Sequence, residues 1–224
     1  MPSARLLYYI TDRSQFTGEE PARRRALLAK VADAACAGVD YIQLREKDLR
    51  IRDLEQLTCE CVNLVRELRS ANRKLETKLL INSRADVALA TGADGVHLRS
   101  NDISPEEAFG IWTLCGAKVV TRPARPVVAV SCHTKSDLIR AESENASFAV
   151  FAPVFEKKNA PGAIPQGLNA LREACRAKIP VLALGGVTFE NAANCIAAGA
   201  AGIAAIRLFQ ENRIDEVVRA LRAL

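Results

Sequence analysis

Several common features are missing from this 224-residue chain, and each absence closes off a class of function. Aromatic residues are only 5% of the chain, and nowhere do they interleave with basic ones. Nucleic acid is therefore not an expected partner. The seven cysteines, Cys36, Cys59, Cys61, Cys115, Cys132, Cys175 and Cys195, include no CxxC pair, which argues against a zinc or thiol-redox site. Their odd number and scatter argue against a disulfide framework and for a reducing compartment, where they serve as apolar filler. No stretch approaches the length of a membrane span, and Met1–Ile10 lacks the apolar core of a signal peptide. A cytoplasmic protein with no membrane partner is expected. No GxGxxG follows the first apolar run, which disfavours a doubly wound dinucleotide fold. The net charge of +5 is mild and dispersed rather than clustered, which suits anionic small molecules.

What is present points to a barrel. The stretch Pro180-Val-Leu-Ala-Leu-Gly-Gly-Val187 is a buried-strand run ending in two glycines, whose amides can approach a ligand closely. Thr188 reads as the N-cap of a helix reaching about Ala197 and stopping at Gly199. A second buried run, Gly199–Arg207, follows. Upstream, strand-like runs at Leu6–Ile10, Val39–Leu44, Leu79–Asn82, Gly95–Leu98, Val127–Ser131 and Phe148–Pro153 alternate with helical patterns. Those helices fall at Glu20–Ala37, Ile51–Asn72, Ala85–Thr91, from Ser104 onward, at Lys135–Glu144 and at Leu168–Ala177, with a last one over Asn212–Leu224. Thr121–Pro126 reads as an exposed loop, and Val154–Gln166 as a long polar loop with a functional role. Eight strands alternating with eight helices predict an α/β fold, a single (β/α)8 TIM barrel spanning residues 1–224 as one domain.

In such a barrel the informative residues lie at the C-terminal ends of strands. Here they are Gln43, Arg45 and Lys47; Asn82 and Arg84; His97, Arg99 and Asp102; Ser131, His133 and Thr134; Glu156, Lys157 and Lys158; Gly185, Gly186 and Arg207. Cations, amide side chains and a carboxylate converge on one mouth, as a phosphorylated or pyrophosphorylated ligand would require. Blander readings stand beside these. Arg45-Glu46-Lys47-Asp48 also reads as a solvated charged turn. Asn82 also reads as a cap of the next helix and Asp102 as a helix-start charge, while His97 reads as a satisfied core residue.

Gly38-Val-Asp-Tyr-Ile-Gln-Leu-Arg-Glu-Lys-Asp48 resembles the second-strand motif of the thiamine phosphate synthase and TenI family. Leu80-Ile-Asn-Ser-Arg-Ala-Asp-Val-Ala-Leu89 with Gly92-Ala-Asp-Gly-Val-His-Leu98 is similar to its third and fourth strands. Ser131-Cys-His-Thr134, Ala152-Pro-Val-Phe155 and Leu184-Gly-Gly-Val187 follow in matching order, so the resemblance covers essentially the whole chain. It implies an enzyme of thiamin biosynthesis that joins a hydroxymethylpyrimidine pyrophosphate to a thiazole phosphate and releases pyrophosphate, with Mg2+ on the leaving group. By match, Arg45 and Lys47 bind pyrophosphate, Gln43 faces the pyrimidine, Asn82 and Ser131 contact substrate, and Asp102 binds Mg2+. Gly186 and the backbone after the eighth strand hold the thiazole phosphate, with Gly185, Ile206 and Arg207 as further substrate-binding candidates, and His133 and Lys158 are the catalytic candidates, with Lys157 and Lys158 not separable by match. The expected partners are small phosphorylated substrates; whether two copies pair as a homodimer is left open.

The chain also departs from the family pattern. Asn82-Ser83 stands where Asn-Asp is usual, removing one metal carboxylate. Arg99-Ser100 replaces Gly-Gln and sets bulk and positive charge beside Asp102. Glu156-Lys157-Lys158-Asn159 shortens a Thr-x-Thr-Lys loop, and Arg207 replaces a serine. Three readings stay open: a synthase, a metal-independent TenI-like thiazole tautomerase with His133 moving the proton, and a non-catalytic phosphate-binding relative.

Overall fold

The computed structural model describes residues 5–116, 125–156 and 164–224. Lys157 and Lys158, residues 121–124 of the first expected loop and the middle of the second lie outside the described residues. Eight parallel strands close into a barrel in chain order: β1 (Leu6–Ile10), β2 (Tyr41–Leu44), β3 (Lys78–Asn82), β4 (Gly95–Leu98), β5 (Val127–Cys132), β6 (Phe148–Phe151), β7 (Val181–Leu184) and β8 (Gly202–Ala205). β8 returns to β1 with Tyr8 opposite Ala204. The connecting helices are α1 (Glu20–Ala37), α2 (Ile51–Ala71), α3 (Ala85–Thr91), α4 (Pro105–Gly116), α5 (Lys135–Ser143), α6 (Gly167–Ala174) and α7 (Ala192–Ala197). After β8 come two more, α8 (Arg207–Gln210) and α9 (Ile214–Arg222).

Strand alternation divides the apolar residues into two cores, because successive side chains leave opposite faces of a strand. Leu7, Tyr9, Ile42, Leu44, Leu79, Ile81, Val128 and Val130 face outward and pack under the helices. Tyr8, Ile10, Leu80, Ala129, Phe148, Val150, Leu182 and Ala204 fill the interior. Tyr8, Tyr41 and Phe148 pack there with ring centroids 4.7–5.9 Å apart. The interior is therefore plugged, and a ligand reaches only its mouth.

The N-terminal rim is tied by two carboxylates. Asp40 accepts from the Leu7 amide at 2.6 Å and from Arg222 Nη2 at 2.9 Å, fastening α9 beneath β1 and β2. Asp94 accepts from the Leu79 amide at 2.8 Å and from Arg69 Nη1 at 3.1 Å, fastening α2 beneath β3 and β4. Each bond to an ionised group is stronger than a neutral one.

Two expected elements differ. The helix expected from Thr188 begins at Ala192, because Asn191 spends its side chain on the turn. Its Oδ1 accepts from the Thr188 amide at 2.8 Å and its Nδ2 donates to the Gly186 carbonyl at 2.9 Å. The last helix is split: α8 docks on the first loop, where Gln210 Nε2 donates to the Asp12 carbonyl at 2.6 Å, before the chain turns into α9. Helix α5, in contrast, starts where expected, behind a capping box between Thr134 and Asp137.

Candidate active site

The mouth is built by continuing the inward face of each strand beyond its end. On β2, Gln43 faces inward and the same alternation carries Arg45 and Lys47 to that side. The other side is locked. Glu46 is buried, accepting from Thr11 Oγ1 at 2.5 Å and from the Arg13 amide at 2.9 Å. Arg13 also grips Asp48 through two bonds of 2.7 and 2.9 Å, and Thr11 Oγ1 accepts from the Arg45 amide at 3.0 Å. The charged run is thus not one solvated turn: Glu46 and Asp48 anchor the loop, and the cations flank the opening. Burial lowers the Arg45 pKa, opposed by Asp12 and Glu46. Lys47 is exposed.

A short series of hydrogen bonds runs across the mouth from β2 to the turn after β3. Gln43 Nε2 donates to Asn82 Oδ1 at 2.8 Å, and Asn82 Nδ2 donates to Ser83 Oγ at 3.2 Å. With its NH2 group turned to Asn82, Gln43 is left with an acceptor: its Oε1 is buried and without a hydrogen-bond partner. Such a group costs about 1–3 kcal/mol unless something binds it. Asn82 therefore faces the mouth and does not cap α3, whose start carries no side-chain cap.

Asp102 is itself held by Arg99. Its Oδ2 accepts from the Arg99 amide at 2.8 Å, and its Oδ1 from Arg99 Nη2 at 2.8 Å and Nε at 3.1 Å. Burial alone would raise the Asp102 pKa, but the bonds from Arg99 and Ser83 outweigh it and hold it below the ordinary value. Asp102 is not a helix cap either, since Ser104 and Glu107 cap α4 reciprocally.

His97 is buried, as expected of a core residue, but it sits inside the barrel and supports the mouth. Its Nδ1 pairs with Tyr8 Oη at 3.0 Å and its Nε2 with Ser131 Oγ at 2.8 Å. Burial, helped by the positive charge of Arg45, pushes its pKa down to about 3, so the ring is neutral. Beyond β5, His133 is exposed and its Nδ1 lies 2.7 Å from the Ala152 carbonyl. A carbonyl only accepts, so Nδ1 donates to it, which selects the Nδ1–H tautomer of the neutral ring.

Across the mouth, the loop after β6 packs onto the glycine turn after β7. The Phe155 amide donates to the Gly185 carbonyl at 2.9 Å. Gly186 has φ +65°, and a Cβ there would lie 2.4 Å from the Glu156 carbonyl oxygen, so only glycine fits. Ile206 packs on the interior core and Arg207, half-buried, opens α8.

The described residues thus bring Gln43, Arg45, Lys47, Asn82, Asp102, Ser131, His133, Gly185, Gly186, Ile206 and Arg207 to the same end of the barrel; Lys158 lies outside them. Thr11, Arg13 and Glu46 support the mouth without being candidates in the sequence; the alternation that separates Glu46 from Arg45 and Lys47 is the signal that points to it.

A family model described as thiamine monophosphate synthase matches residues 7–209. The chain is 38% identical over 208 residues to a putative thiamine-phosphate synthase 2 of Aquifex aeolicus (strain VF5), covering 92% of this chain and 97% of that protein. It is 35% identical over 219 residues to the thiamine-phosphate synthase of Methanoculleus marisnigri (strain ATCC 35101 / DSM 1498 / JR1), covering 96% and 93%. Among solved structures, a thiamine phosphate pyrophosphorylase from Pyrococcus furiosus superposes with a TM-score of 0.75 at 27% identity, covering 97% of this chain and 94% of that one. With its barrel, its glycine turn and the polar groups of its mouth, this chain belongs to the thiamine monophosphate synthase family.

Proposed function

We propose that this protein is a thiamine phosphate synthase, a transferase that moves a pyrimidinylmethyl group from pyrophosphate to the nitrogen of a thiazole phosphate. The observation that carries this reading is the unpartnered, buried Oε1 of Gln43 at the floor of a cationic mouth. An aminopyrimidine ring seated there offers the missing donor. Arg45 and Lys47 then lie beside the ring's pyrophosphate, where they bind it and stabilise the charge that builds on it as the carbon–oxygen bond breaks. Ser131, fixed by His97, contacts the same ring. The Gly185-Gly186 amides, with the chain at Ile206 and Arg207, take the thiazole phosphate on the far side. This places the two substrates' reacting atoms face to face.

The Mg2+ implied by the family resemblance does not fit these donors. Asp102 is the carboxylate that the family match offers, both its oxygens already accept from Arg99, and that guanidinium offsets its charge. Ser83 supplies a hydroxyl where a second carboxylate would stand. No step above is derived through a metal.

The test is direct. Purified protein supplied with hydroxymethylpyrimidine pyrophosphate and thiazole phosphate is expected to form thiamine phosphate and pyrophosphate in equal amounts, read by mass spectrometry. Neither product appearing, with or without Mg2+, would overturn the reading. A second reading, a thiazole tautomerase, is favoured by the exposed His133, whose Nδ1 bond to the Ala152 carbonyl orients the ring so that Nε2 of its neutral form would serve as a general base. It predicts aromatisation of a thiazole tautomer by the wild type and its loss in His133→Ala.

No described helix is long and apolar enough to cross a membrane. The expected partners are small phosphorylated substrates.

A further inference from the structure

The disagreement between Asp102 and a bound metal has a constructive side. Arg99 leaves the end of β4 two residues beyond His97, on the inward side of the strand. Its guanidinium is anchored through Nε and Nη2 to Asp102, while its side chain remains 56% exposed. A guanidinium carries five N–H donors, so a carboxylate held on one edge leaves donors for a second anion. The loop is fixed from behind: Arg140 Nη2 of α5 donates to the Ser100 carbonyl at 3.0 Å. The carboxylate is also held by the Arg99 amide, which donates to its Oδ2 at 2.8 Å. The cation thus rests on a carboxylate that its own loop keeps in place.

We infer that Arg99, seated on Asp102, is a built-in cation for the diphosphate of the substrate, so that this mouth binds a diphosphate without a divalent metal. The inference rests on the reading that the mouth takes a pyrophosphorylated ligand. Guanidinium suits the task because it binds phosphate oxygens through paired, directed N–H bonds and keeps its charge at any physiological pH. Ser83 belongs to the same arrangement. Asp102 offsets the charge of Arg99, so the pair offers a diphosphate directed N–H donors on a neutral base; an aspartate at 83 would make the arrangement net negative and repel it. Backbone geometry permits such an aspartate, since Ser83 has φ 61°, in the left-handed region that aspartate also adopts.

The experiment is titration calorimetry of the full chain with inorganic pyrophosphate, in EDTA and in excess Mg2+. Wild type is expected to bind in EDTA with an affinity within about twofold of that in Mg2+. Arg99→Gln is expected to bind roughly tenfold more weakly in EDTA, the loss of one charge-assisted contact. The pair Ser83→Asp with Arg99→Gly is expected to bind in Mg2+ and not in EDTA. Loss of wild-type binding in EDTA, or unchanged binding by a folded Arg99→Gln, would overturn the inference. If wild-type binding is lost in EDTA while thiamine phosphate still forms with Mg2+, the synthase reading stands and only the built-in cation falls. No pyrophosphate binding under either condition, with no product formed, removes both.

Discussion

The two ends of the barrel use the same residue types to opposite ends. At the N-terminal rim, Asp40 and Asp94 each join a strand amide to an arginine from an outer helix, and both carboxylates are partnered within the protein, although the buried Arg69 Nε finds no acceptor. At the C-terminal mouth, polar side chains are coupled to one another, yet the series stops at an acceptor with nothing bound to it. A charge tells little about its role until its partners are known: the rim spends its charges on holding strands together, and the mouth keeps donors and acceptors for a ligand.

The sharpest way to break this contrast is at Arg45. Arg45→Ala is expected to lower kcat/KM by about 10²- to 10³-fold, the usual loss for one charge-stabilising donor, while the urea midpoint moves little. A large drop in stability instead would make Arg45 a structural residue like those of the rim. Asp94→Ala should do the reverse. It strips a strand amide of its acceptor and strands the Arg69 guanidinium, so it should cost about 3 kcal/mol in urea unfolding while the folded fraction turns over normally. Reduced turnover per folded molecule would erase the distinction between the two ends.

The smallest expected effect concerns His97, which lies in the barrel interior beneath the mouth. Its folded pKa of about 3 lies below the ordinary 6.5, so between those values the unfolded chain binds the extra proton. Stability therefore falls as pH drops through that window, with this residue contributing a slope of about 1.4 kcal/mol per pH unit. Urea unfolding of His97→Gln between pH 7 and pH 5 should show a shallower slope than wild type. Equal slopes would mean that the ring is not held neutral in the fold.

Much of this was legible in the sequence. The buried run ending at Gly185-Gly186 and the spacing of Gln43, Arg45 and Lys47 identify the barrel and its mouth, because both follow from local periodicity. Other features depend on partners distant in sequence or on side chains that override a local rule. Thr188 has the chemistry of an N-cap, but Asn191 closes the turn first and the helix begins after it. Helix α8 is four residues long, too short for any periodic signal. Glu46 looks like one charge among four until Thr11 and Arg13, more than 30 residues earlier, are seen to enclose it. The sequence sets the charge of Arg99 beside Asp102, but the paired bond from its Nε and Nη2 to one carboxylate oxygen depends on how the loop folds.

The bonds from Gln43 to Ser83 also bear on which molecules the mouth turns away. A ring that presents an oxygen to Gln43, as a deaminated pyrimidine does, sets two acceptors against each other. Flipping the Gln43 amide to oblige it would require Asn82 to flip as well, and then Ser83 to donate where it now accepts. Two coupled amides thereby turn one ring's exocyclic group into a choice between an amine and a carbonyl.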